Sequence, residues 1–324
     1  MCNFYVILVI IQFLQLINKF FFVISYERKT SMKRKKNSGG GDRKRKKISW
    51  KDTPMIGKYG NNIHISGILT SITQAQRNYI IKFEQNFQQI DTDQAAVTIS
   101  NEKITLLDIT SLSPNEWITD PIINAYMFLL QQRDKLLIQS QARTTPNLFF
   151  TSMLYTKVLY EGDHCEDGVL TWGTKKCETY IGKGTNIFQM NKIYFPINHN
   201  NSHWALVQAD MEQHVLTYYD SLGKHTANKT TGSVLGQKAL TTILKYLKHE
   251  HMQVCKSELQ STWRVDDQSN TIPQQSNGSD CGVFTIAYAD LLSVDESLKS
   301  IKPKQMNETR NRIKFCLYKK DCYM

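Results

Sequence analysis

The distribution of apolar and polar positions along the chain predicts a domain of strands and helices. Short apolar or alternating runs bounded by turn residues predict strands over residues 104–108, 192–197, 204–210 and 215–220. Apolar residues at helical spacing predict helices over residues 72–90, 122–132, 235–249 and 281–292. Strands flanked by helices in this way indicate the α+β class.

The first 31 residues form a separate hydrophobic segment. Residues 4–24 are nearly all apolar, carry one charged residue, Lys19, and are just long enough to cross a bilayer. Two interpretations stay open. The segment is a membrane anchor whose basic flank stays in the cytosol, or it is translated non-coding sequence and Met32 is the true start. A membrane partner is therefore expected only if residues 4–24 belong to the protein.

Charge adds a second N-terminal feature, a basic flexible arm over residues 32–51. The chain of 324 residues has a formal net charge of +11, and residues 27–51 hold 12 basic and 2 acidic residues. Two Lys/Arg clusters within residues 33–47 flank a Gly-rich spacer, a pattern that favours a nuclear import receptor as partner and the nucleus as location. The alternatives are the nuclear envelope or endoplasmic reticulum membrane, with the folded domain in the cytosol or nucleus, and the cytoplasm. No aromatic residue lies between these clusters, so nucleic acid is not predicted as a partner.

The rest of the chain divides into three parts. We predict a variable lead-in over residues 52–102, a folded domain over residues 103–295 and a basic C-terminal tail over residues 296–324. Hydrophobic residues make up 41% of the chain, which is enough for a packed core. Within the domain, the polar and Gly-rich residues 161–186 are predicted to form an exposed excursion.

The cysteines exclude one structural class and suggest no metal. Seven cysteines, an odd number without close pairs, argue against a disulfide scaffold and indicate a reducing compartment. His164, Cys165 and Cys177 occur in the excursion but lack the spacing of a zinc site. The sequence therefore predicts no metal and no cofactor.

Three residues in chain order have the properties of a thiol-based catalytic set. His203 begins one predicted strand, Asp220 ends the next strand 17 residues later, and Cys281 begins a predicted helix. A helix N-terminus favours the thiolate, which is the nucleophilic form of cysteine. An imidazole stabilises the thiolate and protonates a leaving amine, while a carboxylate on its other nitrogen fixes the tautomer. Antiparallel strands joined by a tight turn can place the histidine and the aspartate at one sheet edge.

Neighbours of Cys281 complete the candidate site. Gln275, six residues earlier, can donate an amide hydrogen to an oxyanion, and the backbone N–H of Cys281 can donate another. Gly278 and Gly282 permit a close approach of the backbone around the thiol.

The ordered set resembles the Ulp/SENP family of SUMO-specific cysteine proteases over residues 103–295. The resemblance rests on four segments: Trp-Ile-Thr-Asp-Pro-Ile-Ile-Asn at 117–124, Ser-His-Trp-Ala-Leu at 202–206, Tyr-Asp-Ser-Leu at 219–222 and Gln-Gln-Ser-Asn-Gly-Ser-Asp-Cys-Gly at 274–282. It implies a papain-like cysteine protease fold with the circularly rearranged order His, Asp, Cys and a central mixed sheet flanked by helices. The family usually has Leu-Asn where Ile118 and Thr119 stand here, a difference expected to alter the modifier-facing surface.

The resemblance also implies a reaction and its partners. It implies cleavage after the C-terminal Gly-Gly of a ubiquitin-like modifier of the SUMO or NEDD8 type, with SUMO as the first candidate, in precursor processing and deconjugation. It implies that Trp117 and Trp204 sandwich the diglycine, and that Asp120 and Gly282 belong to the substrate-binding surface.

Three other functions stay open. A deneddylase and an adenain-like or transposon-type cysteine protease use the same chemistry on other substrates. A non-catalytic protein that binds a modifier or nucleic acid is the alternative from another class. The catalytic set lacks no member, which counts against the non-catalytic protein.

Overall fold

The computed structural model of the chain describes residues 66–322 except 90, 162–170, 224–226, 229–231 and 261. All described residues belong to one compact unit. The predicted hydrophobic segment and basic arm lie outside the described residues. Within the described part of the chain, no helix has both the length and the apolar character needed to cross a membrane.

The described residues form eight α-helices and nine strands. The helices are α1 Gln74–Gln85, α2 Leu106–Thr110, α3 Asp120–Gln139, α4 Met153–Glu161, α5 Trp172–Tyr180, α6 Val234–Cys255, α7 Cys281–Leu292 and α8 Met306–Lys319. The strands are β1 Ala95–Ile99, β2 Glu102–Thr105, β3 Leu148–Phe149, β4 Lys192–His199, β5 His203–Asp210, β6 Val215–Tyr219, β7 Ala227–Asn228, β8 Gly232–Ser233 and β9 Arg264–Asp267.

A five-stranded mixed sheet with the order β3-β4-β5-β6-β9 forms the centre of the fold. Strands β4, β5 and β6 are antiparallel neighbours, while β3 and β9 each run parallel to the strand beside them. Strand β5 is buried at every position but its two ends, because helices cover both faces of the sheet.

The two faces of the sheet belong to two separate hydrophobic cores. Along β5, Trp204 and Leu206 enter one core and Ala205 and Val207 the other, as the two-residue period of a strand requires. Helices α1, α3, α7 and α8 contribute to the first core and α4, α5 and α6 to the second. The α+β class and the papain-like arrangement of a mixed sheet flanked by helices are thereby confirmed.

The predicted strands and helices agree with the structure near the centre of the domain and differ at its margin. Strands β4, β5 and β6 and helix α7 lie where the sequence predicts them. The strand predicted over residues 104–108 is wrong in its second half, since β2 ends at Thr105. The Thr105 side chain accepts from the backbone N–H of Asp108 and the Asp108 carboxylate accepts from that of Thr105, a capping box that begins α2.

The predicted C-terminal tail is wrong, because α8 is part of the first core. Ile313 and Leu317 are fully buried there, four residues apart on one helix face. The lead-in is packed as well, since Ile80 of α1 belongs to the same core and Phe83 stacks on Tyr318 with ring centroids 4.4 Å apart. Eight Lys and Arg residues within 296–324 conceal this apolar stripe when the segment is judged by its composition, and two of them, Arg310 and Arg312, are themselves buried on α8.

The predicted exposed excursion is wrong for its second half. Residues 162–170 lie outside the described residues, and with them His164 and Cys165. Helix α5 follows, and Cys177 on it is fully buried in the second core. Burial raises the pKa of the Cys177 thiol to about 12, which makes this side chain a packing residue rather than a metal ligand.

Candidate active site

The sheet brings His203 and Asp220 together. His203 begins β5, and the register pairs Leu206 of β5 with Tyr219 of β6, so Asp220 lies beside the start of β5. The Nε2 atom of His203 is 2.7 Å from Oδ1 of Asp220. The two residues are thus in contact at one sheet edge, where their 17-residue spacing places them.

The Asp220 carboxylate is fully buried and held by several donors. Its Oδ1 accepts from the backbone N–H of Leu222 at 2.8 Å as well as from His203. Its Oδ2 accepts from the hydroxyl of Tyr218 at 3.3 Å. These contacts fix the plane of the carboxylate and hold the imidazole in one orientation.

Cys281 is the first residue of α7 and lies next to His203. Burial alone would lower the pKa of His203, but its interactions with Asp220 and Cys281 raise it to about 9. Asp220 takes Nε2, which leaves Nδ1 as the nitrogen available to the thiol. An imidazole that keeps its proton at neutral pH can stabilise a thiolate and serve as the acid for a leaving group.

A buried arginine on α8 holds the residue before the nucleophile. Arg310 is 1% exposed and donates to Oδ1 of Asp280 from two nitrogens, at 2.7 and 3.1 Å. Its remaining hydrogens go to backbone carbonyls before Trp117 and Cys281, namely those of Ser111, Ser113, Glu116 and Ser279. Arg310 is not among the site residues that the sequence predicts, because residues 296–324 are predicted to form a tail. Its position three residues before Ile313 on the buried face was the available signal.

The Gln275 side chain is buried and fixed between the two sides of the site. Its Oε1 accepts from the hydroxyl of Ser221 and its Nε2 donates to the carbonyl of Asn277, both at 2.6 Å. An amide has two hydrogens on nitrogen, so one stays free for an oxyanion. The role of Gln275 in the oxyanion hole stays a prediction.

The two tryptophans differ in exposure. Trp204 is buried and donates from Nε1 to the carbonyl of Ile118 at 2.9 Å. A Cβ added to Gly282 would lie 2.9 Å from Cβ of Ile118 and 3.2 Å from Cδ1 of Trp204. These three residues thus form one tightly packed wall. Trp117 is 54% exposed, so its ring is accessible to a ligand. The sandwich of a diglycine between the two tryptophans stays a prediction.

The structure places Asp120 in the first turn of α3. Its carboxylate accepts from the hydroxyl of Ser152 at 2.9 Å and from the amide of Asn198 at 3.4 Å. The residue before it, Thr119, is the N-cap. Contact of Asp120 with a substrate stays a prediction.

A second histidine, His199, adjoins the site and is not among the predicted site residues. His199 ends β4 as the register partner of His203, and the two rings lie nearly parallel with centroids 6.1 Å apart. Its Nε2 is 2.9 Å from the hydroxyl of Tyr218. Pairing the two strands across the turn at residues 200–202 was the signal that could have found it.

Thiol, imidazole and carboxylate thus follow one another in the order that nucleophilic thiol catalysis requires, which defines a cysteine peptidase of the papain-like fold. The sequence matches the family described as "Ulp1 protease family, C-terminal catalytic domain" over residues 116–321. The chain belongs to this family. The matched range extends past residue 295 to include α8, in agreement with the packing of that helix.

Individual relatives show the same likeness. Sentrin-specific protease 2 of Homo sapiens is 33% identical over 198 residues, which are 60% of this chain and 29% of that protein. Ubiquitin-like-specific protease 1 of Saccharomyces cerevisiae is 30% identical over 185 residues, 57% of this chain and 24% of that protein. The matched region is therefore less than a third of either relative.

Among solved structures, the C-terminal Ulp1 protease domain in complex with Smt3, the yeast ortholog of SUMO, has a TM-score of 0.59 to this chain. The identity is 25%, and the match covers 78% of this chain and 97% of that one.

Proposed function

We propose that the chain hydrolyses the bond after the C-terminal Gly-Gly of a ubiquitin-like modifier, SUMO, in precursors and in conjugates. The observation that carries the proposal is the contact of His203 with Asp220 beside Cys281. It occurs in the fold of a protease domain that was solved in complex with a SUMO ortholog.

The proposed reaction proceeds through a thioester. The Cys281 thiolate attacks the carbonyl carbon of the terminal glycine, and the carbonyl oxygen takes up the charge. Collapse of this intermediate breaks the C–N bond, and the His203 imidazolium gives its proton to the leaving amine. His203 then takes a proton from water, whose oxygen attacks the thioester carbonyl and releases the modifier and the thiol. Gln275 and the backbone N–H of Cys281 stabilise the oxyanion in both steps.

Substrate selection in this proposal depends on the wall around the thiol. Trp204 and Gly282 pack without a gap on one side, and the exposed Trp117 closes over the modifier tail from the other. Flat indole rings leave room for glycine and exclude a larger side chain, so a diglycine is the chemistry that fits.

The test is a panel of SUMO, NEDD8 and ubiquitin carrying a C-terminal electrophile. The SUMO probe is expected to label the wild-type chain, and Cys281→Ser is expected to abolish the labelling. Cys255→Ser is the matched control, because Cys255 is a free and exposed cysteine outside the site, and it is expected to label normally.

Other outcomes identify the alternatives. Preferential labelling by the NEDD8 probe would indicate a deneddylase. Cleavage of a general peptide library without probe labelling would indicate an adenain-like protease. Binding of a modifier without labelling or cleavage would overturn the enzymatic proposal.

We further propose that residues 33–47 bind a nuclear import receptor and direct the chain to the nucleus. The support is the pair of Lys/Arg clusters around a Gly-rich spacer. Fusion of residues 32–51 to a fluorescent reporter is expected to move it into the nucleus, and replacing the basic residues by Ala to abolish this. A reporter that stays in the cytoplasm with the intact arm would contradict the proposal.

A further inference from the structure

A chain of buried hydrogen bonds continues from Asp220 on the side away from His203. The Tyr218 hydroxyl donates to Oδ2 of Asp220 at 3.3 Å and is also 2.9 Å from Nε2 of His199. Tyr218 is fully buried and His199 is 5% exposed. The catalytic carboxylate is therefore held from behind by two side chains that do not reach the reacting atoms.

Strand register makes this arrangement possible. Tyr218 is on β6 and Asp220 follows two residues later, directly after the strand ends at Tyr219, so both side chains leave the backbone on the same side. His199 and His203 are partners across the β4–β5 hairpin. His199 and His203, the two ends of the series of hydrogen bonds, are thus backbone partners in the same hairpin.

The direction of the hydrogens depends on the tautomer of His199. Burial, and the neighbouring His203, lower the pKa of His199 to about 4, so this imidazole is neutral at physiological pH. With its hydrogen on Nε2 it donates to the Tyr218 oxygen, and the hydroxyl hydrogen is free to go to Asp220. The reverse tautomer would turn the hydroxyl toward His199 and take from Oδ2 the one donor that the structure gives it among the described residues.

We propose that Tyr218 and His199 are positioning residues that hold the Asp220 carboxylate so that Oδ1 faces His203. This inference rests on the thiol-protease activity proposed above. Without the hydroxyl, Oδ2 loses its donor, the carboxylate rotates, and Asp220 stabilises the His203 imidazolium less.

Few charged or titratable groups lie near these hydrogen-bonded residues in the described part of the protein. Asp220 and Cys281 raise the pKa of His203. Asp220, Asp267 and Tyr155 raise the pKa of Tyr218. His203 and Lys238 lower the pKa of His199.

Tyr218→Phe tests the proposal, because it removes only the hydroxyl. We expect kcat to fall about tenfold with KM unchanged. A tenfold fall is the effect expected from the loss of one hydrogen bond to a charged group. We also expect the imidazole resonance of His203, followed by NMR, to titrate about one pH unit lower. Tyr194→Phe is the matched control, since the hydroxyl of Tyr194 is buried without a hydrogen-bond partner among the described residues. It is expected to change neither value.

His199 variants provide an independent arm. His199→Gln keeps an N–H donor near Tyr218 and is expected to behave as wild type, whereas His199→Leu leaves the hydroxyl without the partner that orients it and is expected to change both values in the same direction as Tyr218→Phe but by less. An unchanged or raised His203 titration in folded Tyr218→Phe overturns the proposal, and so does an equal change in Tyr194→Phe. The NMR titration needs no substrate, so a wrong substrate assignment would show in the wild-type assay and leave this test intact.

Discussion

The two sides of the catalytic cleft are positioned in different ways. On the strand side, backbone register places His203 next to Asp220, two residues only 17 apart in the sequence. On the helix side, Cys281 depends on side chains from distant segments, above all Arg310. This residue joins Asp280 to backbone carbonyls as distant as that of Ser111, which lies 199 residues before Arg310 in the sequence. Damage to the strand side should therefore mainly reduce catalysis, while damage to the helix side should first reduce stability.

The strand side is broken most directly by Asp220→Ala. Loss of the carboxylate removes both the acceptor for His203 and the charge that favours its imidazolium, so kcat is expected to fall by about 10³–10⁴. Steady-state kinetics on a SUMO precursor measures this. Asp220→Asn keeps an acceptor oxygen and is expected to lose less. A fall of under tenfold in Asp220→Ala would contradict the assigned role.

The helix side is broken by Arg310→Met. The substitution leaves the Asp280 charge buried without its ion pair and several carbonyls without a donor, so the free energy of unfolding is expected to fall by about 3–5 kcal/mol. Urea denaturation followed by circular dichroism measures the change. Arg312→Met is the control on the same helix, because the hydrogen bonds of Arg312 to the carbonyls of Thr70 and Ser71 are comparatively long, at 3.1 and 3.5 Å. Equal losses in the two variants would remove the special place of Arg310.

Gln275 joins the two sides, and its loss should affect catalysis alone. Because Gln275→Ala removes an amide donor to the oxyanion, kcat is expected to fall by about 10²–10³. Ser221→Ala removes only the hydroxyl that holds Oε1 of Gln275, and its effect is expected to be smaller. A rise in KM with an unchanged kcat would assign Gln275 to substrate binding instead.

The pKa of His203 gives the strand side a pH-dependent share of the stability. Its value of about 9 lies above that of an ordinary histidine, 6.5. The contribution is therefore complete below pH 6.5, decreases as the pH rises, and is lost above about pH 9. It amounts to at most about 3.5 kcal/mol, at about 1.4 kcal/mol for each of the roughly 2.5 pKa units between the two values.

Urea denaturation of the wild type and His203→Gln at pH 6 and pH 9.5 isolates this share. The difference between the two proteins should shrink at the higher pH. Cys281→Ala removes one of the groups that raise the pKa of His203, so in this variant the loss of stability should be smaller and should be complete at a lower pH. A difference that is the same at both pH values would show that the imidazolium adds nothing to the fold.

The strand side could be predicted from the sequence because the information for it is local. Short apolar runs bounded by turn residues predict the limits of β5 and β6, and a short turn between them fixes the register that unites His203 and Asp220. Helix α7 was equally clear, because its apolar run begins directly at Cys281. A motif with residue types in a fixed order supplied the rest.

The side chains that hold the helix side in place could not be predicted, because their contacts have no local pattern. The hydrogen bonds of Arg310 join residues that are neighbours only once α8 has packed, and the charge of that segment concealed its apolar face. The same holds for α5, whose polar composition hides a buried Cys177. The overall composition of a segment does not show whether its apolar residues lie on one face. One apolar stripe on a helix is enough to place that helix in the core.

The smallest expected effect tests the wall where the two sides touch. Gly282→Ala adds a Cβ that would lie 2.9 Å from Cβ of Ile118 and 3.2 Å from Cδ1 of Trp204, so one of them must move. Overpacking of this kind costs about 1–3 kcal/mol of stability, and displacement of Trp204 should raise KM for the modifier. Gly278→Ala is the matched control, since a Cβ there meets nothing within 4 Å. If both variants bind and unfold like the wild type, the strand and helix sides are not in close contact at this wall, and each could be altered without the other.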